Sequence, residues 1–223
     1  MILQPIILSL KVALISTIFT FIFGVLLARI FTKFNFKGKN ILESLIILPM
    51  VLPPTITGYG LLILMSKRGF IGKFLYENFG ISIIFTPAAA CVAATVVSIP
   101  LMYQSAKAAF LNIDHMYENA ARTLGVSEWK IFLKISFPLA WPGIVSGSVL
   151  AFARSLGEFG ATLMVAGNIP GKTQTIPIAI YFAVDNGYTK VANTLLGIVV
   201  VFSFLLIFLL NSWLKKKDYR RLN

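Results

Sequence analysis

The chain has 223 residues and a formal net charge of +12 at pH 7. Hydrophobic residues make up 57% of it and charged residues only 13%, against about a quarter charged in an average soluble domain. A mean hydropathy of +0.85 over the whole length excludes a separate soluble domain and predicts an integral membrane protein.

The apolar residues form five long runs, and a bilayer core requires about 20 apolar residues for each crossing helix. The runs cover residues 5–31, 41–65, 81–103, 139–156 and 191–213. They lack a period-2 alternation, and Gly and Pro lie inside them, which disfavours the strands of a membrane barrel. The sequence therefore predicts an all-α integral membrane bundle of about five transmembrane helices.

The second run is interrupted by prolines. Pro49, Pro53 and Pro54 each remove a helical hydrogen bond. Broken helices are tolerated at membrane depth where protein or water satisfies the freed backbone groups, and they often line transport sites. Thr55 and Thr57, which follow the break, are therefore predicted pathway residues, and a simple kink is the alternative.

The fourth run carries small residues at every fourth position. They are Gly143, Gly147, Ala151 and Ser155. Such a stripe lets two helices approach closely in lipid, where van der Waals packing replaces the hydrophobic effect. The sequence leaves open whether the stripe packs within one chain or against a second copy.

Two charged residues, Arg154 and Glu158, stand four residues apart at the end of this run. They form either an ion pair buried in the bundle or part of a pathway or gate, with Arg154 attracting an anion and Glu158 holding it in place. Ser155, Thr162 and the backbone N–H groups after Gly157 would supply hydrogen-bond donors to that anion.

Basic residues concentrate in three places, which fix the predicted orientation. They are Arg29, Lys33, Lys37 and Lys39 after the first run, Lys107, Arg122, Lys130 and Lys134 between the third and fourth, and Lys215, Lys216, Lys217, Arg220 and Arg221 after the fifth. The positive-inside rule assigns all three to the cytoplasm. Five crossings then predict an outside N-terminus and a cytoplasmic C-terminus, with residues 213–223 as a basic tail.

This orientation predicts that residues 66–80 and 157–190 are external loops, and residues 165–185 resemble a re-entrant segment or gate. Because the charges form no single patch, membrane lipid rather than nucleic acid is the expected contact.

The segment of residues 112–138 reads as two short helices separated at Gly125. The first would present an apolar stripe made of Met116, Tyr117, Ala120, Ala121 and Leu124. Glu118 and Arg122 stand four residues apart on its other side, in the order that favours an ion pair, and Ser127 can cap the second helix. An amphipathic helix of this kind fits a groove of another protein, and a loop resting on the membrane surface is the alternative.

This segment resembles the signature cytoplasmic loop of ABC importer permeases, whose pattern is Glu-Ala-Ala, three residues, Gly, nine residues and Ile-x-Leu-Pro. The chain carries the counterparts Asn119, Ala120, Ala121, Gly125, Ile135 and Pro138. Asn119 stands where the family has Glu, Phe137 stands where it has Leu, and Glu118 lies one residue before the family's acid. The resemblance implies that these residues, together with Glu118, couple the chain to an ATPase.

The resemblance extends over residues 5–212, which would form one transmembrane domain of the type I ABC importer kind. Residues 48–55, 121–125 and 155–162 are similar to segments of molybdate permeases. Sulfate/thiosulfate and tungstate permeases carry related motifs and remain the alternatives. Since sulfate permeases usually have an additional helix, the short chain favours molybdate.

In this family two permease subunits form the pore, two ATPase subunits bind the cytoplasmic loops, and a separate extracytoplasmic protein delivers the oxyanion. The resemblance therefore implies a transport subunit of a prokaryotic cytoplasmic membrane that pairs with a second copy of itself and is not an enzyme. The partner ATPase would use the ATP, since the chain lacks the Gly-x-x-x-x-Gly-Lys-Ser/Thr phosphate loop. No directly bound cofactor or metal is expected.

Three other classes of protein fit the sequence less well. A secondary transporter would show several carboxylates within its membrane spans, where Glu158 is nearly alone. A membrane enzyme would need convergent catalytic groups, whereas the single histidine, His115, lies in the 112–138 segment and the single cysteine, Cys91, lies within the third run. A purely structural scaffold would not need the proline-rich second run.

Overall fold

The computed structural model describes the backbone of residues 2–222 and the side chains of residues 2–213. Within this part of the chain the regular elements are eleven α-helices and one π-helical segment. In chain order they are α1 (Leu3–Lys33), α2 (Lys39–Val51), α3 (Pro54–Met65), α4 (Phe70–Phe79), α5 (Pro87–Leu111), α6 (His115–Thr123), α7 (Glu128–Ile131), the π segment (Phe132–Ser136), α8 (Phe137–Leu156), α9 (Gly160–Ala166), α10 (Ile176–Asp185) and α11 (Thr189–Leu222). Of the tail predicted at 213–223, the side chain of Trp213 is described. The basic side chains of this tail lie outside the described residues.

Four of the described helical stretches are long and apolar enough to cross a membrane. They are Leu3–Lys33, Pro87–Leu111, Glu128–Leu156 and Thr189–Trp213. A fifth crossing results if α2 and the stretch Pro54–Phe79, which are bent by 116° relative to each other, are one broken span. The predicted all-α membrane bundle with about five spans is therefore confirmed.

The bend between α2 and α3 lies inside the predicted second run. Leu52 has extended backbone angles (φ −71°, ψ 143°), and α3 begins at Pro54, in the helical turn where a missing N–H group costs nothing. Pro49 remains inside α2. The adjacent pair Pro53 and Pro54 therefore breaks the span, while Pro49 is accommodated within it.

The third span is displaced along the sequence relative to its apolar run. It begins at Pro87 rather than at residue 81, because Phe85 has a positive φ of 60° and Thr86 caps the helix by accepting the N–H of Ala89 at 3.4 Å. It continues to Leu111 rather than ending at residue 103.

Both stretches predicted as external loops contain helices. α4 lies within residues 66–80, and α9 and α10 lie within residues 157–190. These helices have 10, 7 and 10 residues, which is well below the length of about 20 residues that a crossing helix requires. Their shortness explains why hydropathy alone did not separate them from loop.

The small residues of α8 pack against α5 of the same chain. A Cβ atom added to Gly143 would lie 2.6 Å from the Cβ of Ala109, and one added to Gly147 would lie 2.7 Å from the Cβ of Ser105. Only glycine permits this approach of the two helices. Of the two interpretations of the stripe, packing within the chain therefore accounts for these positions.

Candidate functional site

The 112–138 loop consists of α6, α7 and the π segment. α6 begins at Asp114, whose carboxylate oxygen Oδ1 accepts the N–H of Met116 at 2.8 Å. Gly125 lies just beyond its end with φ 73°, a left-handed conformation in which glycine is the usual residue. The predicted break at Gly125 is present. Ser127 occupies the N-cap position of α7, but its side chain makes no capping hydrogen bond.

This loop exposes several large apolar side chains. The exposed fraction is 82% for Leu124, 64% for Met116 and 66% for Trp129. Ala120 is exposed with them, whereas Ala121, which the sequence predicted on the same stripe, is buried within the chain. Several exposed apolar side chains in one short segment are typical of a surface that binds another protein or a membrane.

Glu118 points in the opposite direction, into the protein. Its Oε1 atom lies 3.0 Å from Nη1 of Arg29 on α1 and accepts the hydroxyl of Ser136 at 2.6 Å. Nη2 of Arg122 donates to its Oε2 atom at 3.0 Å, so the predicted pair of Glu118 and Arg122 forms part of a buried cluster. Burial alone raises the pKa of Glu118, but the hydrogen bond from Ser136 and the charge of Arg29 outweigh it and hold the pKa below its ordinary value.

The other predicted residues of the loop lie at its surface or in its second half. Asn119 is exposed, and its Oδ1 atom accepts a hydrogen bond from Nη1 of Arg122 at 2.7 Å. Ile135 is half-buried in the π segment, and Pro138 is exposed in the first turn of α8. Nothing in the sequence indicated the contact of Glu118 with Arg29, because Arg29 was interpreted only as one of the basic residues that set the orientation.

A second region of interest lies where the break before α3 meets the break after α8. A Cβ atom added to Gly160 would lie 3.0 Å from the Cβ of Pro54 and 3.2 Å from the backbone nitrogen of Thr55. Residues 52–55 and 157–160 are therefore adjacent, and we call them the break site. The break site brings together the interruption before α3 and the interruption before α9, which are remote in sequence. Interrupted helices that meet in this way are typical of transport sites in membrane proteins.

Glu158 of the break site forms an ion pair with Arg154 in the last turn of α8. Nη1 of Arg154 lies 2.6 Å from Oε2 of Glu158, and the side chain of Glu158 is 1% exposed against 32% for that of Arg154. The second oxygen of Glu158 accepts the backbone N–H of Ala161 at 2.8 Å. Glu158 thus holds the end of α8 to the start of α9, and the ion pair foreseen as one interpretation is present.

Three of the predicted pathway residues are buried in helix contacts. The hydroxyl oxygen of Ser155 lies 2.9 Å from that of Ser98, between α8 and α5. Thr162 is 1% exposed, and the hydroxyl of Thr57 is buried without a hydrogen-bond partner among the described residues. These side chains contribute to packing around the break site rather than to its accessible surface.

The exposed residues of the break site are Pro53, Pro54, Thr55 and Gly157. Arg154, three residues before Gly157 in sequence, has a side chain that is 32% exposed. A guanidinium group and a hydroxyl group are hydrogen-bond donors that suit a tetrahedral oxyanion. Thr55 and Arg154 are therefore the exposed or partly exposed donors among the predicted pathway side chains.

A bundle with broken spans and an exposed apolar loop defines a membrane transport permease that works with a partner protein. Residues 20–218 match the family described as "Binding-protein-dependent transport system inner membrane component". Because the match covers most of the chain, the chain belongs to this family. It is accordingly a permease component of the inner membrane and not itself an enzyme.

Individual relatives agree with this assignment. The chain is 47% identical to the "Putative molybdenum transport system permease protein YvgM" of Bacillus subtilis, over 93% of this chain and 92% of the relative. It is 43% identical to the "Molybdenum transport system permease protein ModB" of Escherichia coli, over 98% and 95% of the two chains. A solved structure of the MetNI methionine ABC transporter, in an inward-facing conformation, matches with a TM-score of 0.73 at 19% identity, over 96% of this chain and 95% of that one.

Proposed function

We propose that this chain is the permease subunit of an ATP-driven importer that moves molybdate across the cytoplasmic membrane by alternating access. The observation that carries the proposal is the identity of 43% to 47% with molybdenum permeases over nearly the full length of both partners. An oxyanion as the transported species agrees with the donors of the break site. Residues 5–212 form the transmembrane domain of this transporter.

The N-terminus lies outside and the C-terminus lies in the cytoplasm. The end of α1 carries Arg29 and Lys33, and the 112–138 loop carries Arg122, so that basic residues mark one end of the bundle. The positive-inside rule supports a cytoplasmic position for that end. The basic residues of 213–223 belong to the same side by the same rule.

The 112–138 loop couples the permease to an ABC ATPase subunit. Its support is the exposed apolar face formed by Met116, Leu124 and Trp129, which is of the kind that an amphipathic helix lays into a partner's groove. Two copies of this chain would present two such loops to two ATPase subunits. An extracytoplasmic binding protein would deliver the oxyanion to the opposite end, as the family description implies.

The break site lies on the pathway of the oxyanion. Arg154 pairs with Glu158 through Nη1 and its side chain remains 32% exposed, so its guanidinium group has further N–H donors to offer an anion. Thr55 adds a hydroxyl at the start of α3. Binding there is weak, because a conduit must release what it accepts.

The transport cycle follows from these parts. ATP binding draws the two ATPase subunits together and displaces the 112–138 loop seated in each. That displacement tilts the helices of the bundle, so that the break site is accessible first from one side of the membrane and then from the other. No step requires a cofactor bound to this chain, since ATP is bound and hydrolysed by the partner.

The proposal is tested by uptake of labelled molybdate into cells with and without the gene, in competition with tungstate and sulfate. Loss of molybdate uptake on deletion, with competition by tungstate but not by excess sulfate, is the expected result. Unchanged molybdate uptake with loss of sulfate uptake would make the chain a sulfate/thiosulfate permease. Uptake that survives ATP depletion would identify a secondary transporter instead.

A further inference from the structure

We propose that Arg29 is a positioning residue that ties the 112–138 loop to α1, so that displacement of α6 moves this membrane-spanning helix. The inference rests on the proposed function, in which an ATPase subunit displaces the loop. It adds the route by which that displacement enters the bundle. The route runs through one buried side chain rather than only along the backbone.

The guanidinium group of Arg29 lies where four elements meet. It is carried by α1 and is paired with Glu118 of α6 at 3.0 Å. Its central carbon atom lies 5.8 Å from the ring centre of Phe110 on α5 and 5.5 Å from that of Phe132 in the π segment. Its side chain is 15% exposed, so these contacts form in a largely dehydrated environment where charge interactions are strong.

α6 has few other means of attachment to the bundle. It has nine residues, fewer than a helix needs to be stable by itself, and its apolar face is exposed. The residues that it buries are Glu118 and Ala121. Ala121 offers a single methyl group, and Glu118 offers a charge with three partners. Arg122 of α6 also pairs with Glu128 of α7 at 2.6 Å, but these two side chains are 37% and 44% exposed. The buried polar attachment of α6 to the membrane-spanning part is therefore made by Glu118, and its partner on α1 is Arg29.

The π segment takes part in the same attachment. Ser136, the last residue of that segment, is fully buried and donates to the Glu118 oxygen that Arg29 also contacts. π-helical turns are rare and occur frequently at functional sites. Because the π segment continues directly into α8, Glu118 links α6 at one point to both α1 and α8. Displacement of α6 is thus transmitted to two membrane-spanning helices, α1 and α8.

A matched control lies one helical turn further along α1. Lys33 pairs with Glu128 of α7 at 2.8 Å, but the two side chains are 27% and 44% exposed. Exposed pairs contribute little, whereas removal of one partner from a buried pair leaves an uncompensated charge. Arg29→Gln and Lys33→Gln therefore remove the same charge from the same helix. The first removes the proposed buried tie, and the second breaks only the exposed connection that runs from Arg122 of α6 through Glu128 to Lys33.

The test uses the permease reconstituted in proteoliposomes with its ATPase subunit and its binding protein loaded with molybdate. Three quantities are measured: the amount of ATPase subunit retained, the rate of ATP hydrolysis, and the molybdate imported per ATP hydrolysed. Arg29→Gln should retain the ATPase subunit and lower the import per ATP by about fivefold or more, the lower limit of typical coupling between sites. Lys33→Gln should behave as the wild-type protein does.

A second variant separates coupling from folding. In Arg29→Met with Glu118→Gln, no buried charge is left unpaired, so the protein should insert and bind the ATPase subunit, yet import per ATP should remain low. Wild-type import per ATP in either this double variant or Arg29→Gln would overturn the proposal. Loss of the ATPase subunit from Arg29→Gln would also overturn it, because the pair of Arg29 and Glu118 would then form the docking surface. Failure of the wild-type chain to retain any ATPase subunit would instead refute the proposed function.

Discussion

Gly58 of α3 lies directly against Ala161 of α9, the helix that follows the break after α8. A Cβ atom added to Gly58 would come within 2.6 Å of the Cα atom of Ala161 and within 2.9 Å of the Cβ atom of Met164. The first of these atoms belongs to the backbone, so it cannot move aside as a flexible side chain could. The contact therefore limits the distance between α3 and α9 one helical turn beyond the break site.

Gly58→Ala should force α3 and α9 apart. Overpacking of this kind costs about 1–3 kcal/mol, and the displaced break site should also transport less. Gly60→Ala is the matched control, because a Cβ atom added to Gly60 meets nothing within 4 Å and alanine favours the helix. The measurements are the thermal unfolding midpoint of the purified permease and the rate of molybdate uptake. Equal effects of the two substitutions would contradict the importance of this contact.

Arg154→Gln should be strongly destabilising, because it leaves the buried Glu158 without its partner. Loss of one member of a buried pair costs about 3–5 kcal/mol. Arg154→Gln combined with Glu158→Gln should recover the unfolding midpoint, since no charge remains unpaired. If Arg154 also attracts the oxyanion, molybdate uptake should stay low in this double variant. Wild-type uptake by the double variant would show that the pair is structural alone.

Leu124→Asp should weaken the binding of the ATPase subunit without disturbing the permease. The side chain of Leu124 is 82% exposed, so a charge there meets water in the isolated chain but an apolar groove in the complex. For an interface hot spot we expect a loss of about 2 kcal/mol, or roughly thirtyfold in affinity. The affinity of the purified subunits measures it. Phe79→Asp on α4, at a side chain 64% exposed, is the control and should leave the affinity unchanged.

Glu118 should make the stability of the permease sensitive to acid. Its pKa in the folded chain lies below the ordinary value of 4.5, so its contribution to stability is fully present above the unfolded pKa and is lost as pH falls through the folded pKa. Wild-type permease should therefore unfold at a higher temperature than Glu118→Gln near neutral pH, and the difference should shrink below about pH 4.5.

The control for this titration is Glu77→Gln, which removes the exposed partner of Lys73, a pair separated by 3.8 Å. Because both side chains are about 60% exposed, this substitution should produce no comparable dependence on pH. A difference between wild-type and Glu118→Gln permease that stays constant down to pH 3 would contradict the lowered pKa of Glu118.

Features that depend on neighbouring residues were predictable from the sequence. The four-residue spacing of Arg154 and Glu158 made an ion pair one of two interpretations, and the structure contains that pair. The conformational freedom of Gly125 predicted the break between the two helices of the 112–138 loop. Long apolar runs predicted the membrane spans, because a crossing requires a minimum length. The adjacent Pro53 and Pro54 likewise predicted a broken second span.

Features that depend on tertiary packing were not predictable. Glu118 was predicted to pair with Arg122 on the side of α6 opposite the apolar stripe. Its contact with Arg29 was not predictable, because Arg29 is 89 residues away and the contact depends on how α1 meets α6. Ser155 was assigned to the pathway because a hydroxyl in a membrane span can serve either an anion or a neighbouring helix. Its contact with Ser98, which is 57 residues away, decides for the neighbouring helix.

The central claim is that this chain carries molybdate through a membrane at the expense of ATP hydrolysed by a partner. The direct test is reconstitution of the purified permease in proteoliposomes with its ATPase subunit, followed by addition of the molybdate-loaded binding protein and measurement of labelled molybdate inside the vesicles. Accumulation that requires ATP, the binding protein and the permease together is the predicted result. Accumulation without ATP, or none with molybdate and some with sulfate, would contradict the mechanism in the first case and the substrate in the second.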